Sequence, residues 1–243
     1  MQSTSQIQNL QGERLDVAFH GGTKLGTLVI LGHGLTGNKD RPLLIAVAEG
    51  LAAKGWPCLR ISFSGNGDSE GEFGESTITK EIGDLCAVLA TVPQEKRIAY
   101  IGHSMGAAVG VLTASRRMDI QALVSLAGMT HTADFVEREF GDVVPGKGCM
   151  WDNEDCPLSE AYVEDLKSIG DTLGAASQIN QPWLLIHGTA DDVVPLKDSR
   201  DTFHAANCRK ELLEIPDAGH VFDEESYARI VEAVDAFFDR SFG

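Results

Sequence analysis

Three side chains in this sequence have the types and the order needed to move an acyl group: Ser104, Asp191 and His220. Ser104 stands in Gly102-His103-Ser104-Met105-Gly106, directly after the apolar run Ile98-Ala99-Tyr100-Ile101 and directly before Ala107-Ala108-Val109-Gly110-Val111-Leu112. A serine hydroxyl is a poor nucleophile until a base takes its proton, so it must be presented on a sharp turn that a distant imidazole can reach. Glycines two residues before and two after leave room for such a turn between a strand and a helix. A helix starting at Met105 would also aim its positive end at a reacting carbonyl. The competing reading is a structural turn in which Ser104 only caps that helix.

Asp191 lies in His187-Gly188-Thr189-Ala190-Asp191-Asp192, after the apolar run Trp183-Leu184-Leu185-Ile186, and His220 ends Pro216-Asp217-Ala218-Gly219-His220, after Leu212-Leu213-Glu214-Ile215. Each residue therefore sits just past the carboxyl end of a different strand, the edge where open α/β sheets carry their sites. Nucleophile, acid, base is the chain order expected of a serine presented on this type of turn, and of the seven histidines only His220 follows Asp191. His20 and His204 fall in peripheral elements, His103 should point away from Ser104, and His131 and His187 precede the acid. Asp191 and Asp192 are adjacent and only one can orient the imidazole; Asp191 is favoured, with Asp192 expected to cap the helix that follows, and Asp217 is the outside candidate for the acid, uncomfortably near His220 in sequence. An oxyanion needs two donors, assigned to the backbone amides of Leu35, in His33-Gly34-Leu35-Thr36-Gly37, and of Met105. His33 reads as a brace for that loop.

Short apolar runs alternate with longer amphipathic stretches, the pattern of parallel strands covered on both faces by crossover helices, hence an α/β fold. Strands are expected at 15–19, 27–31, 57–63, 97–101, 122–126, 182–186 and 210–215, and helices at 41–54, 77–91, 105–116, 196–206 and 224–239. No strand is expected between 130 and 178, where the text turns acidic and irregular. A structureless loop of that length is improbable in a compact domain, so it reads as a small inserted cap of short helices, with 1–129 and 179–243 forming the core. Within the cap, Trp151 and Tyr162 are candidate walls for an acyl group or an aromatic ring.

At 243 residues and 43% hydrophobic composition the chain can bury the core of one domain. A net charge of -16, with 36 acidic against 20 basic residues, repels phosphate backbones and anionic lipid, so neither nucleic acid nor membrane is an expected partner. Residues 1–11 lack the basic and apolar regions of a secretory leader, and no apolar run approaches the roughly 20 residues of a membrane span. Five cysteines, an odd number without metal-ligand spacing, suggest reduced thiols and a cytoplasmic location. The residues imply no metal or organic cofactor, and a homodimer stays compatible with them.

With these residues in place, the chain resembles the α/β-hydrolase superfamily over nearly its whole length. It is similar in particular to small bacterial carboxylesterases, including feruloyl and cinnamoyl esterases, and to the related serine aminopeptidase-like hydrolases. The matching text is 33–38, then 59–71 with Gly65, Gly67 and Gly71, the turn around Ser104, Gly188-Thr189-Ala190-Asp191 with Pro195, and Gly219-His220. The resemblance implies a mostly parallel sheet flanked by helices, a cap, Asp191 rather than Asp192 as the acid, and a glycine-rich turn supporting the active-site floor. Ser64 and Asn66 stand where relatives often carry arginine and histidine. The activity implied is cleavage of a small-molecule carboxylic ester; the same three residues would serve a thioesterase or a peptidase, or persist unused in a ligand-binding protein.

Overall fold

The period-two alternation of the apolar runs decides where each strand side chain goes. In the computed structural model, which describes residues 7–243, seven strands form one sheet: β1 (Val17–His20), β2 (Thr27–Gly32), β3 (Cys58–Ile61), β4 (Arg97–His103), β5 (Ile120–Leu126), β6 (Trp183–Gly188) and β7 (Lys210–Ile215). Their order is β1-β3-β2-β4-β5-β6-β7, with β1 antiparallel to β3 and every other pairing parallel. Val29, Leu31, Ala99, Ile101, Leu184 and Ile186 enter one buried cluster, while Ile30, Ile98, Tyr100, Trp183 and Leu185 enter another. Both sheet faces are therefore core, as the expected strands required.

Helices α1 (Pro42–Ala53) and α8 (Glu224–Phe242) cover the first face, and α2 (Ile78–Thr91) packs along α3 (Met105–Ala114) on the second. Helix α7 (Leu196–Ala205) lies against β6 and β7. Local signals set the ends: Thr77 and Asp223 accept from the amides of Lys80 and Ser226, and Pro42 opens α1 where its missing N–H costs nothing. The expected elements all form, with bounds shifted by a few residues, as end effects of helices and strands allow. The expectation for residues 1–11 lies partly outside the described residues. Among the described residues no helix is long and apolar enough to cross a membrane, and all five cysteines are free thiols.

Between β5 and β6 the chain forms α4 (Thr132–Phe140), a 3-10 turn (Met150–Asp152), α5 (Glu160–Ile169) and α6 (Leu173–Ala176), without a named strand. This stretch does not stand clear of the sheet. Phe135, Phe140, Met150, Leu158 and Leu166 are buried in the same cluster as Ile30 and Tyr100. It packs onto the rest of the molecule as an extension of the core.

Two glycines in neighbouring helices test this packing. A Cβ on Gly110 of α3 would lie 2.5 Å from the fully buried Tyr100 ring, whereas one on Gly83 of α2 meets nothing within 4 Å. Gly110→Ala should cost about 1–3 kcal/mol of stability by overpacking. Gly83→Ala should add about 0.5–1 kcal/mol through helix propensity. Urea unfolding of both variants reads the two signs, and equal signs would contradict the packing described.

Candidate active site

Ser104 occupies the junction of β4 and α3 with φ 54° and ψ -120°. A non-glycine residue held there costs of order 1–3 kcal/mol, so its surroundings must over-determine it. The Ser104 amide donates to Leu126 O at 2.9 Å, and its carbonyl accepts from Ala107 and Met129 at 3.0 and 3.2 Å. Tyr100 Oη donates to Gly106 O at 2.9 Å and closes the turn from beneath. The two flanking glycines are required by space. A Cβ on Gly102 would lie 2.3 Å from Gly106 O, and one on Gly106 would lie 2.3 Å from His33 O. The Ser104 side chain makes no capping bond to α3, which removes the reading of a mere cap.

The 33–37 loop rests directly on this turn, since a Cβ on Gly34 would come within 2.8 Å of Ser104 Cβ. His33 Nδ1 donates to Gly34 O at 2.8 Å, and Nε2 accepts from the Phe63 amide at 3.0 Å, which fixes the neutral tautomer. Burial pushes its pKa down to about 4, against a smaller opposing effect of the Gly34 hydrogen bond. His33 is thus the brace that was expected, tying the loop to the end of β3. Neither the Leu35 amide nor the Met105 amide donates to an acceptor among the described residues. Leu35 lines the cleft above Ser104, while the Met105 side chain is buried in the core.

On the far side, His220 Nδ1 lies 2.9 Å from Asp191 Oδ2, and the Asp191 side chain has no exposed surface. Asp191 Oδ1 accepts from the amides of Val193 and Val194 at 3.0 and 2.8 Å. A second imidazole, His187 Nε2, approaches Oδ2 at 3.1 Å and Val194 O at 2.9 Å, while its Nδ1 accepts from Ser199 Oγ at 2.7 Å. Burial alone would raise the Asp191 pKa. Hydrogen bonds from His187 and His220, the charge of His220 and the Val194 amide outweigh it and hold the carboxyl well below the usual range. Ser104 and His220 line the same cleft. No hydrogen bond joins the Ser104 hydroxyl to His220 among the described residues; such contacts commonly tighten only when substrate is bound.

Four expectations need correction or completion. Asp192 does not cap the next helix: α7 begins after Pro195 with no side-chain cap, and it is the neighbouring Asp191 that accepts the loop amides. His103 is part of the site, lining the cleft and approaching His220 O at 3.0 Å through Nε2. Burial, then the charge of His220, pushes the His103 pKa down to about 3, so it is a neutral donor that braces the loop carrying His220. Tyr162 does not line the cleft but lies buried at 1% exposure. Its spacing to Leu166, four residues on, puts both on the core stripe of α5, a signal already present in the sequence. His187, which precedes the acid in the chain, contacts Asp191 across the strand-to-turn junction, where no helical spacing signals it. Asp217 is exposed, with φ 60°, and its amide is held by Thr189 Oγ1.

Trp151 does line the cleft, half-exposed, with its ring on Phe140 at 5.0 Å and Nε1 donating to Glu139 at 3.1 Å. The cleft encloses about 530 Å³, within the range of small-molecule sites. Leu43, Leu44 and Val221 add apolar wall that the sequence reading did not assign. Ser64 and Asn66 face inward instead: Ser64 donates to Asp84 of α2, and Asn66 to Ser76 just before that helix.

Comparison with known proteins agrees with this architecture. A sequence profile for the alpha/beta hydrolase fold matches residues 27–155. A relative from Salmonella typhi, called Uncharacterized protein YfhR, is 28% identical over 225 residues, 88% of this chain and 70% of that one. The human protein called Palmitoyl-protein thioesterase ABHD10, mitochondrial, is 27% identical over 164 residues, 62% of this chain and 52% of that one. Among solved structures, Est1E from Butyrivibrio proteoclasticus with ferulic acid bound superposes with a TM-score of 0.87 at 24% identity, covering 98% of this chain and 99% of that one. With the profile matching over more than half of its length, and with this strand order and this strand-turn-helix junction, the chain belongs to the alpha/beta hydrolase fold family.

Proposed function

We propose that this chain is a serine hydrolase that cleaves carboxylic esters by two-step acyl transfer. Ser104 attacks the ester carbonyl while His220 takes its proton, and the Leu35 and Met105 amides hold the oxyanion. His220 then protonates the departing alcohol. Water activated by the same imidazole releases the acid and restores the serine. Asp191 stays ionised throughout, directing Nδ1–H of His220 toward itself so that Nε2 is the base. The observation that carries this reading is the 2.9 Å contact of His220 Nδ1 with a carboxylate of no exposed surface, at a cleft that Ser104 lines from a strained turn.

A thioester substrate is the second reading. It is supported by the likeness to a protein named as a palmitoyl-protein thioesterase, and by apolar walls at Leu43, Leu44, Phe135 and Val221 that suit an acyl chain. Turnover of matched esters, thioesters and amides separates these readings, because leaving-group choice is set by pocket shape. Fastest turnover of the thioester would favour the second.

Ser104→Ala should lower kcat on an aryl ester by about 10⁴-fold or more while leaving the melting temperature close to that of the parent. Retained turnover would show another nucleophile at work. Asp191→Asn should lower kcat by about 10⁴-fold through the wrong imidazole tautomer. It also bears on acid stability. The folded-state pKa of Asp191 lies below the unfolded value of about 3.9, so ionisation stabilises the fold in full above that value. That contribution is lost as the pH falls through the folded-state value. Melting temperature should therefore fall less steeply between about pH 5 and pH 2 in Asp191→Asn than in the parent; parallel curves would contradict the assignment.

A further inference from the structure

Among the described residues that line the cleft, Arg41 carries the one side chain of permanent charge. Its guanidinium donates to Thr36 O at 2.6 Å, which anchors it to the loop carrying the Leu35 amide. It forms no ion pair with any described carboxylate: the adjacent Asp40 is held by Lys39 and Arg60. Arg41 is solvent-exposed, so its charge is open to a ligand entering the cleft.

Local physics makes this an unfavourable place for arginine. Arg41 is the residue preceding α1, a 12-residue helix with no side-chain cap and no acid in its first turn. A cation there faces the positive end of the helix dipole, where an acid would stabilise. Sequences break such local rules chiefly where a site requires it.

We propose that Arg41 determines specificity, and that the site takes esters carrying a free carboxylate. This rests on the serine hydrolase reading above. A guanidinium with one donor committed to Thr36 keeps a planar fork for bidentate contact with a carboxylate. Leu43 and Leu44, next along the chain from Pro42, offer the apolar wall for the chain that joins carboxylate to ester. A single carboxylate is matched by this one guanidinium, whereas a polyanion would meet the net charge of -16 unaided.

The test compares p-nitrophenyl hydrogen suberate with its methyl-capped neutral counterpart. In the parent protein the ratio of kcat/KM values, anionic over neutral, should exceed that of Arg41→Gln by about ten- to a hundredfold, with the change in KM. Arg41→Lys should keep part of the preference, and added salt should erode it in the parent more than in Arg41→Gln. An unchanged ratio would overturn the proposal, including the case in which both esters slow alike because Thr36 has lost its brace. Equal hydrolysis of the neutral ester by the parent and by Ser104→Ala would instead sink the serine hydrolase reading. Calorimetric binding of monomethyl suberate then still decides on Arg41: weaker binding by Arg41→Gln is expected, and equal affinity overturns the proposal.

Discussion

A carboxylate removed from water stays ionised only if the protein supplies the donors that water would have given. Asp191 receives three, two amides of its own loop and the His220 imidazole beyond β7, and the His187 ring at the end of β6 lies 3.1 Å from the same carboxylate. These bonds do more than hold a charge. They bind the loop after β6 to the loop after β7, and the bond between His103 and the His220 carbonyl binds that second loop to the end of β4. Three strand ends are thereby joined through side chains, and the orientation of His220 follows from that joining. His103 and His187 serve this frame without standing in the proposed proton path.

A comparable balance operates at Ser104. Its left-handed backbone is unfavourable, and it persists because Gly102 and Gly106 permit a contact between strand, helix and the His33 loop that no side chain could enter. The apolar clusters on both sheet faces provide the rigidity against which that strain is held. The inserted segment extends the same core and contributes Phe135 and Trp151 to the cleft. Cleft walls and buried core therefore share residues, which ties pocket shape to packing on that face.

The sheet is legible because its central strands are short, nearly continuous apolar runs between longer amphipathic stretches, and because Ser104, Asp191 and His220 each follow such a run. The inward role of His33 was also legible, from its place at the end of β2. What escaped reading depends on contacts between loops remote in sequence. His187 was excluded by chain order, a rule about which residue acts as base that says nothing about which residue supports the acid. Asp192 was read as a cap because a local rule favours acids before helices, but the same rule was satisfied one residue earlier by the turn Asp191 makes with Val193 and Val194. Tyr162 was misplaced because an aromatic in an inserted segment was weighed by type and not by its four-residue spacing to Leu166. Arg41 has no signature in the sequence, because a lone arginine before a helix acquires meaning only from the cleft around it.

On the proposed mechanism Ser104 is a nucleophile activated by an imidazole that Asp191 orients. Reaction of the folded protein with a fluorophosphonate probe, followed by mass spectrometry of the labelled peptide, tests it most directly. One adduct is expected, on Ser104, and its formation should be strongly slowed in the His220→Gln variant. A folded parent protein that takes no label at Ser104, or labels as fast without His220, would contradict it.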